Sequence, residues 1–212
     1  MTLTFWIRVA AGAALVCSSA QAADGAALYK AQCVACHGPA AAGNIALQAP
    51  PLAGADAAYL VRQLNGFRAG YRGGDAATPT AQAMRGIALG LKGDEDIAAV
   101  ARHLARLAVP ASKAETSPAA QLNLGKSLHG VCVACHGTWG EGNRELNAPR
   151  LSHLPSWYIA AQLASFRAGT RGAADGDALG RQMRQVALES LAGDDEAGAV
   201  ARYISTLAKP AR

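Results

Sequence analysis

The chain has 212 residues, 51% hydrophobic and only 5% aromatic, with 23 glycines and a formal net charge of +5. That length suits two small domains better than one large one. With so few large side chains, a core made of protein alone lacks apolar bulk, and the modest basic balance gives no reason to invoke a nucleic-acid partner.

Residues 1–22 carry one early cation, Arg8, an apolar run from Val9 to Cys17, and a small-residue end at Ala20-Gln21-Ala22. This is the outline of a secretory signal peptide, too short for a comfortable membrane span, with cleavage expected after Ala22. The weakly charged start also allows an uncleaved N-terminal anchor and peripheral membrane association. Val16 before Cys17 suits lipoprotein processing poorly, so Cys17 is expected to leave with the leader. An exported chain of this kind belongs in a bacterial periplasm.

Residues 23–109 form the expected N-terminal domain. It opens on a helix capped near Asp24 and running into Cys33, whose counterpart in the second half is expected over Ala119 to Val131. There the chain reads Cys33-Val34-Ala35-Cys36-His37-Gly38, and Cys132-Val133-Ala134-Cys135-His136-Gly137 is its near-copy. C-x-x-C-H is the pattern of covalent c-type haem attachment. Two thiols three positions apart on a helical turn can add to the two vinyl groups of one porphyrin, and the following His lies under the iron. All four cysteines left after the leader lie in these motifs, so no thiol remains for a disulfide, as two doubly tethered haems in an oxidising compartment require.

A Gly/Ala-rich loop follows each motif, with Gly43-Asn44 and Gly142-Asn143 at matched distances, and then Pro50 and Pro149. A proline carbonyl is an acceptor suited to the Nδ1–H of a haem-ligating His. A middle helix is expected over Asp56 to Ala69 and again over Ser156 to Ala168, with Asp56 and Ser156 as caps and Gly70 and Gly169 as stops. Tyr59, Gln63, Leu64 and Phe67 match Tyr158, Gln162, Leu163 and Phe166, of which the Tyr, Leu and Phe read as core or haem wall.

A second polar, Gly-rich loop in each half carries Met84 and Met183, each 47 positions beyond its motif His. A single Met usually fills a core gap. Two at the same offset, with no other Met beyond the initiator, point to thioether ligands. Each half closes with a helix behind a Gly-Asp start, Ile97 to Ala108 and Ala197 to Ala208, whose first-turn acids complement the helix dipole. Between the halves, residues 110–118 form a polar, Pro-bounded linker, and residues 119–212 the C-terminal domain. The repeat offset is 99 between Cys33 and Cys132 and between Met84 and Met183 and becomes 100 between Gly93 and Gly193, which describes a tandem duplication.

Iron held by His on one side and Met on the other has no open position for oxygen or peroxide, which argues for electron transfer rather than catalysis. The duplicated order of C-x-x-C-H, Pro-x-Leu and late Met resembles class I c-type cytochromes. With Phe67-Arg68-Ala69-Gly70-x-Arg72 and Phe166-Arg167-Ala168-Gly169-x-Arg171, it is similar to the di-haem cytochrome c4 family. The resemblance implies an all-α fold, two tandem class I cytochrome c domains related by pseudo-twofold symmetry, and two covalently bound haem c groups. By position it implies thioethers at Cys33, Cys36, Cys132 and Cys135, proximal ligands His37 and His136, and distal ligands Met84 and Met183. It also implies redox protein partners, with a quinol-oxidising complex or dehydrogenase as donor and a terminal oxidase as acceptor. Arg68, Arg72, Arg167 and Arg171 are candidates for propionate pairing or the domain interface. Three rivals are a di-haem peroxidase, which the matched Met residues oppose, a structural zinc protein, which leaves His and Met unexplained, and the cytochrome subunit of a periplasmic dehydrogenase or sulfur-oxidising complex.

Overall fold

The computed structural model describes residues 23–110 and 115–207. The expected leader, with Cys17, lies outside the described residues. The first half contains α1 (Gly25–Gln32), α2 (Val34–His37), a 3-10 turn (Ile45–Leu47), α3 (Ala57–Arg68), α4 (Pro79–Leu89) and α5 (Asp94–Arg106). The second contains α6 (Ala119–His136), α7 (Ser156–Ala168), α8 (Ala178–Ser190) and α9 (Asp194–Thr206). Among the described residues extended pairing is limited to two isolated bridges, Asn44 to Ala49 and Asn143 to Ala148. No described helix is long and apolar enough to cross a membrane.

Each half is built alike. The first helix and the middle helix both pack on the closing helix, α1 and α3 on α5, α6 and α7 on α9, while α4 and α8 lie against α3 and α7. The closing helices supply the deepest side chains, Ile97, Val100 and Leu104 in one half and Val200 and Ile204 in the other. Burying each contributes about 1.5–3 kcal/mol. The crossings of α1 on α5 and α6 on α9 depend on glycine, because a Cβ at Gly25 would collide with the Ala99 carbonyl, and one at Gly125 with the Ala199 carbonyl.

The caps follow the residue chemistry. Asp24 accepts from the Ala26 and Ala27 N–H groups, and Asp56 accepts from the Tyr59 N–H at 2.9 Å. In the closing helices Asp96 accepts from the Lys92 N–H and Glu196 from the Ala192 N–H, so the first-turn acids cap as expected. Ser156 differs from expectation. Pro155 occupies the cap position, and the Ser156 N–H and hydroxyl both donate to Glu115 from the linker.

Two further expectations are corrected. Met84 and Met183 lie on helices, not in loops. Thr78 caps α4 with Pro79 in its first turn, and Asp177 caps α8 through the Gly180 N–H. The segment before the second motif is not a separate helix ending at Val131, since α6 runs unbroken through Cys132 to His136, whereas α1 and α2 are interrupted at Cys33. The cause is one extra residue between Tyr29 and Cys33 relative to His129 and Cys132. In an unbroken helix it would rotate the motif by about 100°. At the resulting offset of 100, Tyr29 stacks near His103 at 5.7 Å and His129 near Tyr203 at 5.3 Å, so the two halves carry the same pair with its members exchanged.

His153 is buried with no hydrogen-bond partner on either ring nitrogen. Burial first, and then the Arg150 charge, push its pKa down to about 4. The unfolded chain takes up a proton near pH 6.5 and the folded chain only near 4, so stability falls as pH drops across that window, by about 3 kcal/mol. Urea melts at pH 7 and 4.5 should show this loss, and His153→Leu should remove that component.

Candidate functional site

In each half the segment after the motif is folded back onto the motif His. The Gly43 N–H donates to the His37 carbonyl at 3.0 Å, and Gly142 to His136 at 2.8 Å. Asn44 and Ala49 then exchange two backbone hydrogen bonds, as do Asn143 and Ala148. Gly142 sits at φ +80, and a Cβ there would stand 2.8 Å from the Ala148 oxygen and from the Pro149 carbon, so glycine lets the chain close. The closure places the Pro50 carbonyl 2.8 Å from His37 Nδ1 and the Pro149 carbonyl 2.8 Å from His136 Nδ1. A carbonyl only accepts, so Nδ1 carries the proton and donates, which leaves a lone pair on Nε2.

Both rings are buried, 6% and 5% exposed. Burial lowers the pKa of His37 and His136, against a smaller opposing effect of the proline carbonyls. Both are therefore neutral imidazoles, the form that binds a metal. Burial first, and then the neighbouring Cys36 or Cys135, push Cys33 and Cys132 up to about 11, so both are thiols at neutral pH, and none of the four motif cysteines is in a disulfide. Among the described residues no group of three or more His, Cys, Asp or Glu is placed to hold a metal ion.

A cavity of about 1070 Å³ brings Cys132, Cys135, His136 and Met183 together against Phe166, Leu163 and Ile204, with Gln63 and Arg72 of the first half on its rim. In the first half the equivalent residues occupy equivalent elements. Cys33 flanks α1 and α2, His37 ends α2, and Met84 on α4 packs against Leu64, Phe67 and Ile97.

The four arginines divide into two kinds. Arg68 pairs with Asp94 at 3.0 Å and Arg167 with Asp194 at 2.9 Å, inside their own halves. The acids are 87% and 84% exposed, so these pairs contribute little. Arg72 and Arg171 meet at the boundary between the halves. Arg72 donates to Gln63 and Gln162 at 2.8 and 3.0 Å, and Arg171 donates to Gln162 and Gln63 at 2.7 and 2.8 Å. Each guanidinium also lies over a phenylalanine, Phe67 at 4.3 Å and Phe166 at 4.4 Å. Exchanging every residue for its repeat equivalent reproduces the same four hydrogen bonds, the signature of a twofold interface. No acid joins it, and burial followed by the facing Arg72 charge pushes Arg171 below its ordinary value. Two half-buried guanidiniums with only neutral acceptors fit an anionic group beside them. With the apolar cavity, the neutral imidazole and the paired thiols, this fits a haem, whose propionates would supply such anions.

The motifs marked the cysteines and histidines, and the prolines were legible from position. Sequence reasoning missed Gln63 and Gln162 as interface residues, although their matched spacing to Arg72 and Arg171 was present.

Residues 22–108 and 122–208 each match the cytochrome c family. The chain is 33% identical to the thiosulfate dehydrogenase electron acceptor of Stutzerimonas stutzeri (strain A1501), over 95% of this chain and 94% of that protein. It is 35% identical to cytochrome c4 of Azotobacter vinelandii over 84% and 85%. Among solved structures, reduced recombinant cytochrome c4 from Pseudomonas stutzeri superposes with TM-score 0.69 at 27% identity, covering 87% of this chain and 97% of that one. Thiosulfate dehydrogenase (TsdBA) from Marichromatium purpuratum superposes with TM-score 0.70 at 32% identity, and the match spans 87% of this chain but only 40% of that longer one. The chain therefore belongs to the cytochrome c family and, within it, groups with the tandem electron-transfer cytochromes that include cytochrome c4.

Proposed function

We propose that the chain is a periplasmic two-haem electron carrier, with one haem c attached through Cys33 and Cys36 and the other through Cys132 and Cys135. When bound, the haem supplies reversible one-electron chemistry at its iron. His37 and His136 would present Nε2 to that iron, their rings fixed by the Pro50 and Pro149 carbonyls. Met84 and Met183 would hold the same irons through their thioether sulfurs, a ligand set suited to carrying electrons rather than to binding peroxide or oxygen. Arg72 and Arg171 would hold propionates at the domain boundary. The observation that carries the reading is the duplicated hydrogen bond from a buried neutral His to a proline carbonyl, with Met183 in the same cavity as Cys132, Cys135 and His136.

Under this reading the partners are proteins, with a quinol-oxidising complex or periplasmic dehydrogenase as donor and a terminal oxidase as acceptor. A second reading is favoured by the near full-length likeness to a protein named as a thiosulfate dehydrogenase electron acceptor, namely that the donor is a thiosulfate-oxidising dehydrogenase. Stopped-flow reduction of the ferric protein distinguishes the two. The true donor should reduce it with a second-order rate constant of about 10⁵–10⁷ M⁻¹s⁻¹. Fast reduction by thiosulfate dehydrogenase with thiosulfate supports the second reading, and fast reduction by the quinol-oxidising complex supports the first. Slow reduction by both, with substantial peroxide turnover, would overturn the carrier reading.

A further inference from the structure

Most features of the domain boundary come in pairs related by the repeat, but the contacts to the loops around the second site do not. Tyr71, from the turn after α3, reaches across to residues 172–177, the loop that leads into α8. A Cβ at Gly176 would collide with the Tyr71 hydroxyl and Cζ and stand 3.1 Å from its Cε1, so tyrosine and glycine fit one another closely. The next residue, Asp177, caps α8 by accepting from the Gly180 N–H at 2.9 Å, and Met183 lies on that helix. On the histidine side, Arg62 of α3 donates to the Asn147 carbonyl at 2.8 Å and to its side-chain oxygen at 3.0 Å, and Asp56 pairs with Arg144 at 3.2 Å. Asn147 lies two residues before Pro149, whose carbonyl accepts from His136.

The reverse polar contacts are missing among the described residues. The repeat equivalents of Tyr71, Arg62 and Asp56 are Thr170, Ala161 and Pro155. Thr170 turns back to donate to the Ser165 carbonyl of its own domain at 3.3 Å. Among the described residues no hydrogen bond or ion pair runs from the second domain to residues 44–50 or 73–79.

We propose that the first domain braces the surroundings of the second haem site and receives no matching brace in return, with Tyr71 as the positioning residue on the methionine side. The inference rests on the reading of Met183 as an iron ligand. Tyr71 blocks the loop at Gly176 from moving toward the first domain, and through Asp177 it limits the travel of α8. Met183 is then held more tightly than Met84.

The test uses the full-length holoprotein and imidazole as a competing iron ligand. The two methionine methyl resonances are assigned with Met84→Leu and Met183→Leu. Tyr71→Thr, which installs the residue of the second half, should speed displacement of Met183 by about tenfold, the scale of a lost supporting contact, and leave Met84 unchanged. Tyr71→Phe, which keeps the ring against Gly176, should restore most of the wild-type rate. Gly176→Ala, which pushes on the same contact from the other side, should also change the Met183 rate alone. Equal acceleration at both irons in Tyr71→Thr, or no change at either, would overturn the proposal. If Met183→Leu leaves both methyl resonances in place, the ligand assignment itself has failed. If it removes one and the Tyr71→Thr rate stays at the wild-type value, only the bracing has.

Discussion

Met84→Leu and Met183→Leu should each leave both haems covalently attached yet abolish one of the two methionine–iron charge-transfer bands at the red end of the ferric spectrum. Attachment should survive because neither substitution touches Cys33, Cys36, Cys132 or Cys135, the thiols proposed to hold the haems. The band is lost because leucine has no sulfur lone pair. The potential of the altered site should fall by a sizeable part of the ~0.8 V range that axial ligands span, since a thioether favours ferrous iron. Leucine is more informative than alanine. Met84 is half-buried against Leu64, Phe67 and Ile97, and a volume-conserving change costs less than about 1.5 kcal/mol, so loss of the band reports ligation and not packing. Met84→Ala and Met183→Ala should lose the same bands with an added stability cost. If both leucine variants kept the wild-type spectrum, each Met would be a core filler.

Gly125→Val should destabilise the second domain by about 3 kcal/mol, the upper end of overpacking costs, and Gly25→Val the first, measured as a lowered melting temperature of the holoprotein. The added Cβ at either position meets a backbone carbonyl, Ala199 or Ala99, and not the movable end of a side chain. Relief requires the helices to separate, which uncovers the row from Ala197 to Ile204 or from Ile97 to Leu104. Gly130→Ala on the same helix is the contrasting case. Nothing stands within 4 Å of its added Cβ, so it should stabilise by about 0.5–1 kcal/mol through helix propensity alone. If both substitutions were neutral, the α6–α9 crossing would not be close.

The features most legible from sequence were those with chemistry concentrated in a few residues. C-x-x-C-H singled out the two histidines that the fold buries, and the positions of Pro50 and Pro149 anticipated acceptors now seen 2.8 Å from them. Asp24 and Asp56 cap as expected because a short carboxylate can reach the first free N–H groups. The methionine helices were less legible. Their approaches, Gly73-Gly74-Asp75 and Gly172-Ala173-Ala174-Asp175-Gly176, read as loop, and the loop was carried too far. The signals that would have corrected it were Thr78-Pro79 and Asp177, a cap with proline in the first turn and a cap alone.

The register change before the motif was also in the sequence, where Gly25 and Tyr29 match Gly125 and His129 at an offset of 100 and not 99. It went unread because a helix accommodates one added residue only by breaking its hydrogen-bond ladder, and helical spacing alone does not say where. The domain boundary was the least legible feature. Gln63 meets Arg171, and Tyr71 meets Gly176, only once two copies of one fold face each other. No local pattern encodes that encounter.

The most direct test of the central claim is the electron paramagnetic resonance and near-infrared spectrum of the intact ferric protein, recorded with a haem count per chain. Two haems, both low-spin and each with a methionine–iron charge-transfer band, are the expected result. A five-coordinate high-spin iron in either half, or an iron held by two imidazoles, would contradict it.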